Sequence, residues 1–247
     1  MGNNQSNKPT VQTIDLGEIT AEVVQKDIKN IHLSVYPPNG RVMIAAPLRM
    51  DVETIRIFAI SKLGWIKRQQ TKLRNQEREA PREYISRESH YYLGVRYLLK
   101  VVERDSKQSV AIKHDNLILQ VKPDTNAEQR QILLQEWYRA QLKALVPHYI
   151  AKWEKIMGVQ VSEFGIKKMK TKWGTCNTAA KRIWINLELA KKPLECLEYI
   201  VVHEMVHLLE RSHNARFIAY MNQFLPQWRN LKEELNRLPV SHLNWAY

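Results

Sequence analysis

The chain has 247 residues, 44% hydrophobic and 26% charged, proportions that suit a folded protein of one or two domains and exclude an intrinsically disordered chain. Two cysteines, Cys176 and Cys196, exclude a disulfide framework, and no apolar run approaches the roughly 18 to 20 residues of a membrane span, so a cytoplasmic protein with no membrane partner is expected. The formal net charge of +13 exceeds what solubility requires and makes nucleic acid a reasonable partner, although no nucleic-acid-binding motif is visible and a basic, solvated surface accounts for the charge equally well.

Residues 1–12, MGNNQSNKPTVQ, are polar and are expected to form a disordered tail, in which Met1 to Ser6 match a myristoylation pattern too loose to carry weight. From 13 to 123 the chain reads as a β-rich N-terminal domain with a helix. Strand signals cover Ile19 to Val24, Ile31 to Tyr36 and Arg41 to Ala46, with Pro37-Pro38-Asn39-Gly40 as a hairpin turn. Asp51 is an N-cap for a helix whose core face carries Ile55, Phe58, Ile60, Leu63, Trp65 and Ile66. That helix is expected to continue through 67–82, where hydrophobic residues nearly vanish. Lys67, Arg68, Lys72 and Arg74 fall close together there and are the best candidates for contact with phosphates, although a solvated helix end explains them too. Further strands are expected at Tyr91 to Leu93, Tyr97 to Val102, Val110 to Lys113 and Leu117 to Val121.

Residues 124–247 form the second expected domain. After Pro123-Asp124-Thr125-Asn126 comes a long amphipathic helix over 127–157, with Leu134, Trp137, Leu142 and Trp153 at apolar positions and a kink at Pro147. A strand over Val161 to Met169, a turn-like segment from Lys172 to Asn177 and the strand RIWINL, Arg182 to Leu187, follow. Pro193 starts the next helix; Asn214 to Phe224 and Arg229 to Leu238 are two more, and SHLNWAY at the end has no clear assignment.

The stretch Tyr199 to His213, YIVVHEMVHLLERSH, carries the chemistry. Apolar residues fill nearly every other position, which marks a buried helix. Burying His203, Glu204 and His207 without partners would cost several kcal/mol, and a metal ion is the commonest compensation. His203 and His207 are four residues apart, so they share one helix face and suit two nitrogens around a tetrahedral Zn²⁺. Glu204 is rotated by about 100° from His203, which keeps its carboxylate beside the metal, where it can move a proton from water to a leaving amine. This is the HExxH pattern of zinc peptidases. A third ligand is needed: His213 is reachable if Arg211-Ser212 break the helix, and Glu210 is the alternative, one turn beyond His207.

Three segments, TKWGTCN, RIWINLELAKKP and VVHEMVHLLERSHNARF, together resemble the YgjP-like metallopeptidase family, which is related to the SprT-like and gluzincin-type zinc peptidases. Lys172 and Thr175 stand where that family often has Arg and Ser. The resemblance implies an α+β chain ending in a zincin-like domain, with the HExxH helix beside a small sheet. It implies Zn²⁺ as cofactor, His203, His207 and His213 as ligands, Glu204 as general base and a protein or peptide as substrate. The RIWINL strand would border the cleft and accept an extended peptide as one more strand. Asn186 would orient a cleft group or cap a turn. Trp173 and Tyr220 are candidate substrate-binding residues, with packing beneath the cleft the stronger reading for Trp173. Tyr220, Arg216 and His242 are candidates for stabilising the oxyanion, and Cys176 reads as an inert buried thiol rather than a nucleophile.

Two other functions compete with the peptidase. A DNA-associated accessory module of a restriction or repair system, with or without proteolysis, would use the basic surface. A zinc site kept only for folding would have four protein ligands, and Glu204 argues against it, because a structural site has no use for a base.

Overall fold

Alternating apolar residues build a four-stranded sheet from β1 (Val11–Asp15), β2 (Thr20–Lys26), β3 (His32–Tyr36) and β4 (Arg41–Pro47), in the order β1-β2-β4-β3. The chain forms two antiparallel hairpins, and the inner strands β2 and β4 pair in parallel, with Ala21 opposite Val42 and Val23 opposite Ile44. In this computed structural model the described residues are 11–36, 39–75, 82–169 and 172–237. Strand β1 therefore includes Val11 and Gln12, which the sequence assigned to a tail.

Helix α1 (Val52–Ser61) starts at Asp51, whose carboxylate accepts from the Thr54 amide at 2.8 Å, as expected of an N-cap. The expected single helix is broken at Lys62, where the amide turns back to Ala59 O, and α2 (Leu63–Asn75) follows. The break lets Ile55 and Ala59 of α1 and Ile66 and Leu73 of α2 join one core with Val23, Val42 and Ile44 of the sheet.

A second sheet repeats the first in topology, a repeat with no counterpart in the residue pattern. Strands β5 (Ser89–Tyr92), β6 (Val95–Glu103), β7 (Ser109–Lys113) and β8 (Asn116–Val121) lie in the order β5-β6-β8-β7, with two antiparallel hairpins and a parallel pair at the centre. Helix α3 (Ala127–Met157) then starts with a reciprocal cap between Asn126 and Gln129 and ends at Gly158, whose φ of 67° is the left-handed conformation of a helix stop. It runs through Pro147 without interruption and buries a stripe of Leu134, Tyr138, Leu142, Val146, Ile150, Trp153 and Met157.

The third sheet has three strands, β9 (Glu163–Lys167), β10 (Gly174–Asn177) and β11 (Arg182–Asn186), in the order β10-β11-β9. A 3-10 helix (Leu187–Lys191), α4 (Leu194–Val206), α5 (Ala215–Phe224) and α6 (Trp228–Arg237) complete the described chain. The whole is α+β. It divides into two units between residues 77 and 78, so the expected boundary near 124 falls inside the second unit. The reason is α3, which packs against β7, β8, β9, the 3-10 helix and α4. The β5–β6 turn also docks on the 3-10 helix, with the Leu93 and Gly94 amides donating to Ala190 O and Lys191 O.

Candidate metal centre

Helix α4 is buried on nearly every side because it packs against α3, α5, α6, β10 and β11. The helix ends at Val206, although the Glu210 amide still reaches back to Val206 O at 2.9 Å. The Leu208 and Leu209 amides reach only three residues back, to Met205 O and Val206 O, so the chain leaves the helix directly after the second histidine. His207 Nδ1 lies 3.2 Å from Glu210 O, and a proton on Nδ1 donated there leaves Nε2 free. The Glu210 carboxylate accepts instead from the Ser212 amide at 3.2 Å. Glu210 is thus off the helix, with its side chain bonded within its own turn.

This turn carries His213 back towards α4. Its position is set by Asn214, which caps α5 by accepting from the Phe217 amide at 3.0 Å. His213 Nε2 comes within 3.0 Å of His203 Nε2, and ligand atoms of His203, His207 and His213 all lie within 4.8 Å of one another. Phe217 is buried against all three imidazoles, with centroid separations of 5.0, 4.8 and 4.6 Å to His203, His207 and His213.

The electrostatics keep the three rings unprotonated, with their nitrogen lone pairs available as donors. Burial, then the neighbouring histidines, push His203 down to about 3, and burial lowers His207 and His213 as well. All three rings are therefore neutral at ordinary pH. His203 Nδ1 is buried with no partner among the described residues, so compensation for the buried ring has to come through Nε2. The His203 and His213 Nε2 atoms face each other at 3.0 Å, a separation at which one ring can donate to the other or both can share a cation. Nitrogens bound to one tetrahedral zinc stand about 3.3 Å apart, so the residues present fit that ion.

Glu204, next to His203, is only 3% exposed and lies against Gly174 of β10. Burial pushes its carboxyl up to about 8, against the pull of the Lys172 charge. A carboxyl in that range can give and take a proton near neutral pH.

The remaining candidates are placed as follows. Asn186 is fully buried and acts as a clasp: its Nδ2 donates to Lys172 O at 2.6 Å and Met169 O at 3.3 Å, and its Oδ1 accepts from the Glu188 amide, capping the 3-10 helix. Trp173 is buried at 2% exposure and its carbonyl accepts from the Asn186 amide. Tyr220 accepts from Arg216 at 3.1 Å and stacks on Phe224, and no contact of either with the three histidines is among the described ones. His242 lies outside the described residues. Burial, then the Glu204 charge, push the Cys176 thiol up to about 11, which keeps it protonated and unreactive. Of the basic side chains on α2, Lys67 is held by Glu18 at 2.6 Å, and the side chain of Lys72 is outside the described set.

Two expectations about the cleft are corrected. The segment from Lys172 to Asn177 is not a turn throughout, since Gly174–Asn177 is strand β10. RIWINL, as β11, is the central strand with both edges paired, so it cannot take a further strand; β10, which packs on α4, pairs only with β11 among the described residues. Gly174 and Phe217 were not anticipated. The Phe217 signal was available as an apolar residue on the first turn after His213-Asn214.

The family described as YgjP-like, metallopeptidase domain, matches residues 29–238. None of the curated proteins matches the chain. Among solved structures, the metallopeptidase zymogen abylysin of Pyrococcus abyssi is 19% identical with a TM-score of 0.35, covering 39% of this chain and 100% of its own. The zymogen jannalysin of Methanocaldococcus jannaschii is 19% identical with a TM-score of 0.33, covering 36% of this chain and 92% of its own.

Proposed function

Because the chain belongs to the YgjP-like metallopeptidase family, we propose that it is a zinc-dependent peptidase with His203, His207 and His213 as the metal ligands and Glu204 as the general base. The observation that carries this reading is the convergence of three neutral imidazoles, two of them with Nε2 atoms 3.0 Å apart, on the helix turn that also holds a buried carboxyl. Zinc held there would supply Lewis acidity, polarising the scissile carbonyl and making water acidic enough to be deprotonated near neutral pH. Glu204 takes a proton from the attacking water and returns it to the leaving amine nitrogen. Its burial beside His203 keeps bulk water from competing for that proton. Phe217 keeps water and rival hydrogen-bond partners off one side of the three rings.

An extended peptide would join the sheet through the backbone of β10, the strand that lies against α4 and pairs with β11 alone among the described residues. Asn186 holds the start of β10 in place by fixing the carbonyls of Lys172 and Met169.

The test is turnover of a mixed, fluorescence-quenched peptide library by zinc-loaded protein, compared with Glu204→Gln. The variant should keep one zinc per chain and lose turnover by about 10³-fold or more, the scale of losing an essential proton-transfer group. Unchanged turnover would reject the mechanism.

A further inference from the structure

Strand β10 and helix α4 touch at one point where a hydrogen atom stands in place of a side chain. A methyl group built on Gly174 would lie 2.6 Å from Glu204 Oε1, 2.7 Å from its Cγ and 2.9 Å from its Cδ. Backbone conformation does not require glycine here, because Gly174 is not in the left-handed region and pairs regularly with Ile185. Its requirement is steric. All three of the nearest atoms belong to the Glu204 side chain and none to backbone, so when the space is filled the carboxylate is what must move. Glu204 is buried, and its neighbour His203 is held against Phe217, His207 and His213. The helix is therefore fixed while the carboxylate takes up the displacement.

We propose that Gly174 is a positioning residue for Glu204, its missing side chain setting how far the carboxylate extends between strand β10 and helix α4. The assignment of Glu204 as the base rests on the peptidase reading; the contact itself does not. Since β10 is also the strand expected to receive the substrate backbone, this contact sets the distance between base and substrate. A shift of about 1 Å in a reacting group costs on the order of 100-fold in rate, more than the contact would contribute to binding.

The experiment is a double-mutant cycle on the zinc-loaded, full-length protein. Gly174→Ala should retain one zinc per chain and a KM within about 3-fold of the parent, while kcat falls about 10- to 100-fold. Glu204→Asp, which shortens the side chain by one methylene, should make Gly174→Ala neutral or favourable for the residual kcat. A wild-type kcat for Gly174→Ala, or an equal loss in the Glu204→Asp background, overturns the inference. Thermal unfolding of the same chain provides a readout independent of turnover. Gly174→Ala should lower Tm by roughly 2–8 °C, and the same substitution in a Glu204→Ala background, where the space is free, should not. A Tm loss that persists with Ala at 204 would show that the strand needs the glycine for its own sake, and overturns the inference. Failure of the peptidase reading looks different, as a zinc-loaded parent and Glu204→Gln that hydrolyse the library equally, with the Tm cycle unaffected.

Discussion

At the scale of single residues, the three-histidine cluster separates the two candidates for a third ligand. His213 approaches His203 Nε2, whereas Glu210 offers its carbonyl to His207 and its carboxylate to Ser212. His213→Ala should therefore lose tightly bound metal, measured as zinc per chain by elemental analysis, while Glu210→Ala should keep it; the reverse pattern would put Glu210 in the site. Glu204 makes a second prediction, for the metal-free protein. Its folded pKa of about 8 lies above the ordinary 4.5, so the folded state binds the extra proton across that window, and stability falls as pH rises from about 4.5 to about 8. Glu204→Gln removes the penalty. Metal-free Glu204→Gln should match the metal-free parent near pH 4.5 and exceed it by a few kcal/mol above pH 8, as read by denaturant unfolding at the two pH values. The gathering of His203, His207 and His213 was legible in the sequence, because the first two stand four residues apart at the end of one helix and the third follows within reach. Gly174 was not legible as a partner of Glu204, since that contact exists only once β10 lies on α4.

Elements explain why the site is held where it is. Sequence patterning found most strands of the two four-stranded sheets, the Asp51 cap and the full length of α3, all of which depend on local alternation, periodicity or capping. It missed the stop of α4 at Val206, because Leu208 and Leu209 continue the apolar run and only the bonding of their amides three residues back ends the helix. It read β10 as a turn, because Gly174 and Asn177 are turn formers and the strand depends on pairing with β11. Helix α5 is the element whose start matters most for the histidines, as it delivers Phe217 and follows His213 directly. Its cap, Asn214, holds the Phe217 amide. Asn214→Ala should cost about 1 kcal/mol of stability and weaken zinc binding by about 5- to 10-fold in a chelator competition, while Asn214→Asp, which caps equally well, should do neither. Equal zinc affinity in all three proteins would mean that His213 is placed by its turn alone.

For the molecule as a whole, the repeated four-stranded topology indicates which part can stand alone. The first unit has a complete core of its own, from Ile14 to Leu73, built from its four strands with α1 and α2. The second unit uses the same four-stranded arrangement differently: α3 also packs against β9, the 3-10 helix and α4, and the β5–β6 turn bonds to Ala190 and Lys191. A boundary at 124 would cut through these contacts, which periodicity along the chain could not reveal because they join segments about 100 residues apart, as with Leu93 and Ala190. All three histidines, Glu204, Gly174 and Phe217 lie in the second unit. A chain lacking residues 1–77 should therefore fold cooperatively and take up one zinc per chain, whereas a chain lacking 1–123, which removes β5 to β8 but leaves the histidines intact, should do neither. Elemental analysis and circular dichroism of the two truncated proteins make the comparison. Zinc uptake and cooperative unfolding by the shorter chain would mean that the β5–β8 sheet is dispensable to the metal centre, and that α3, the small sheet and the three following helices form a sufficient core.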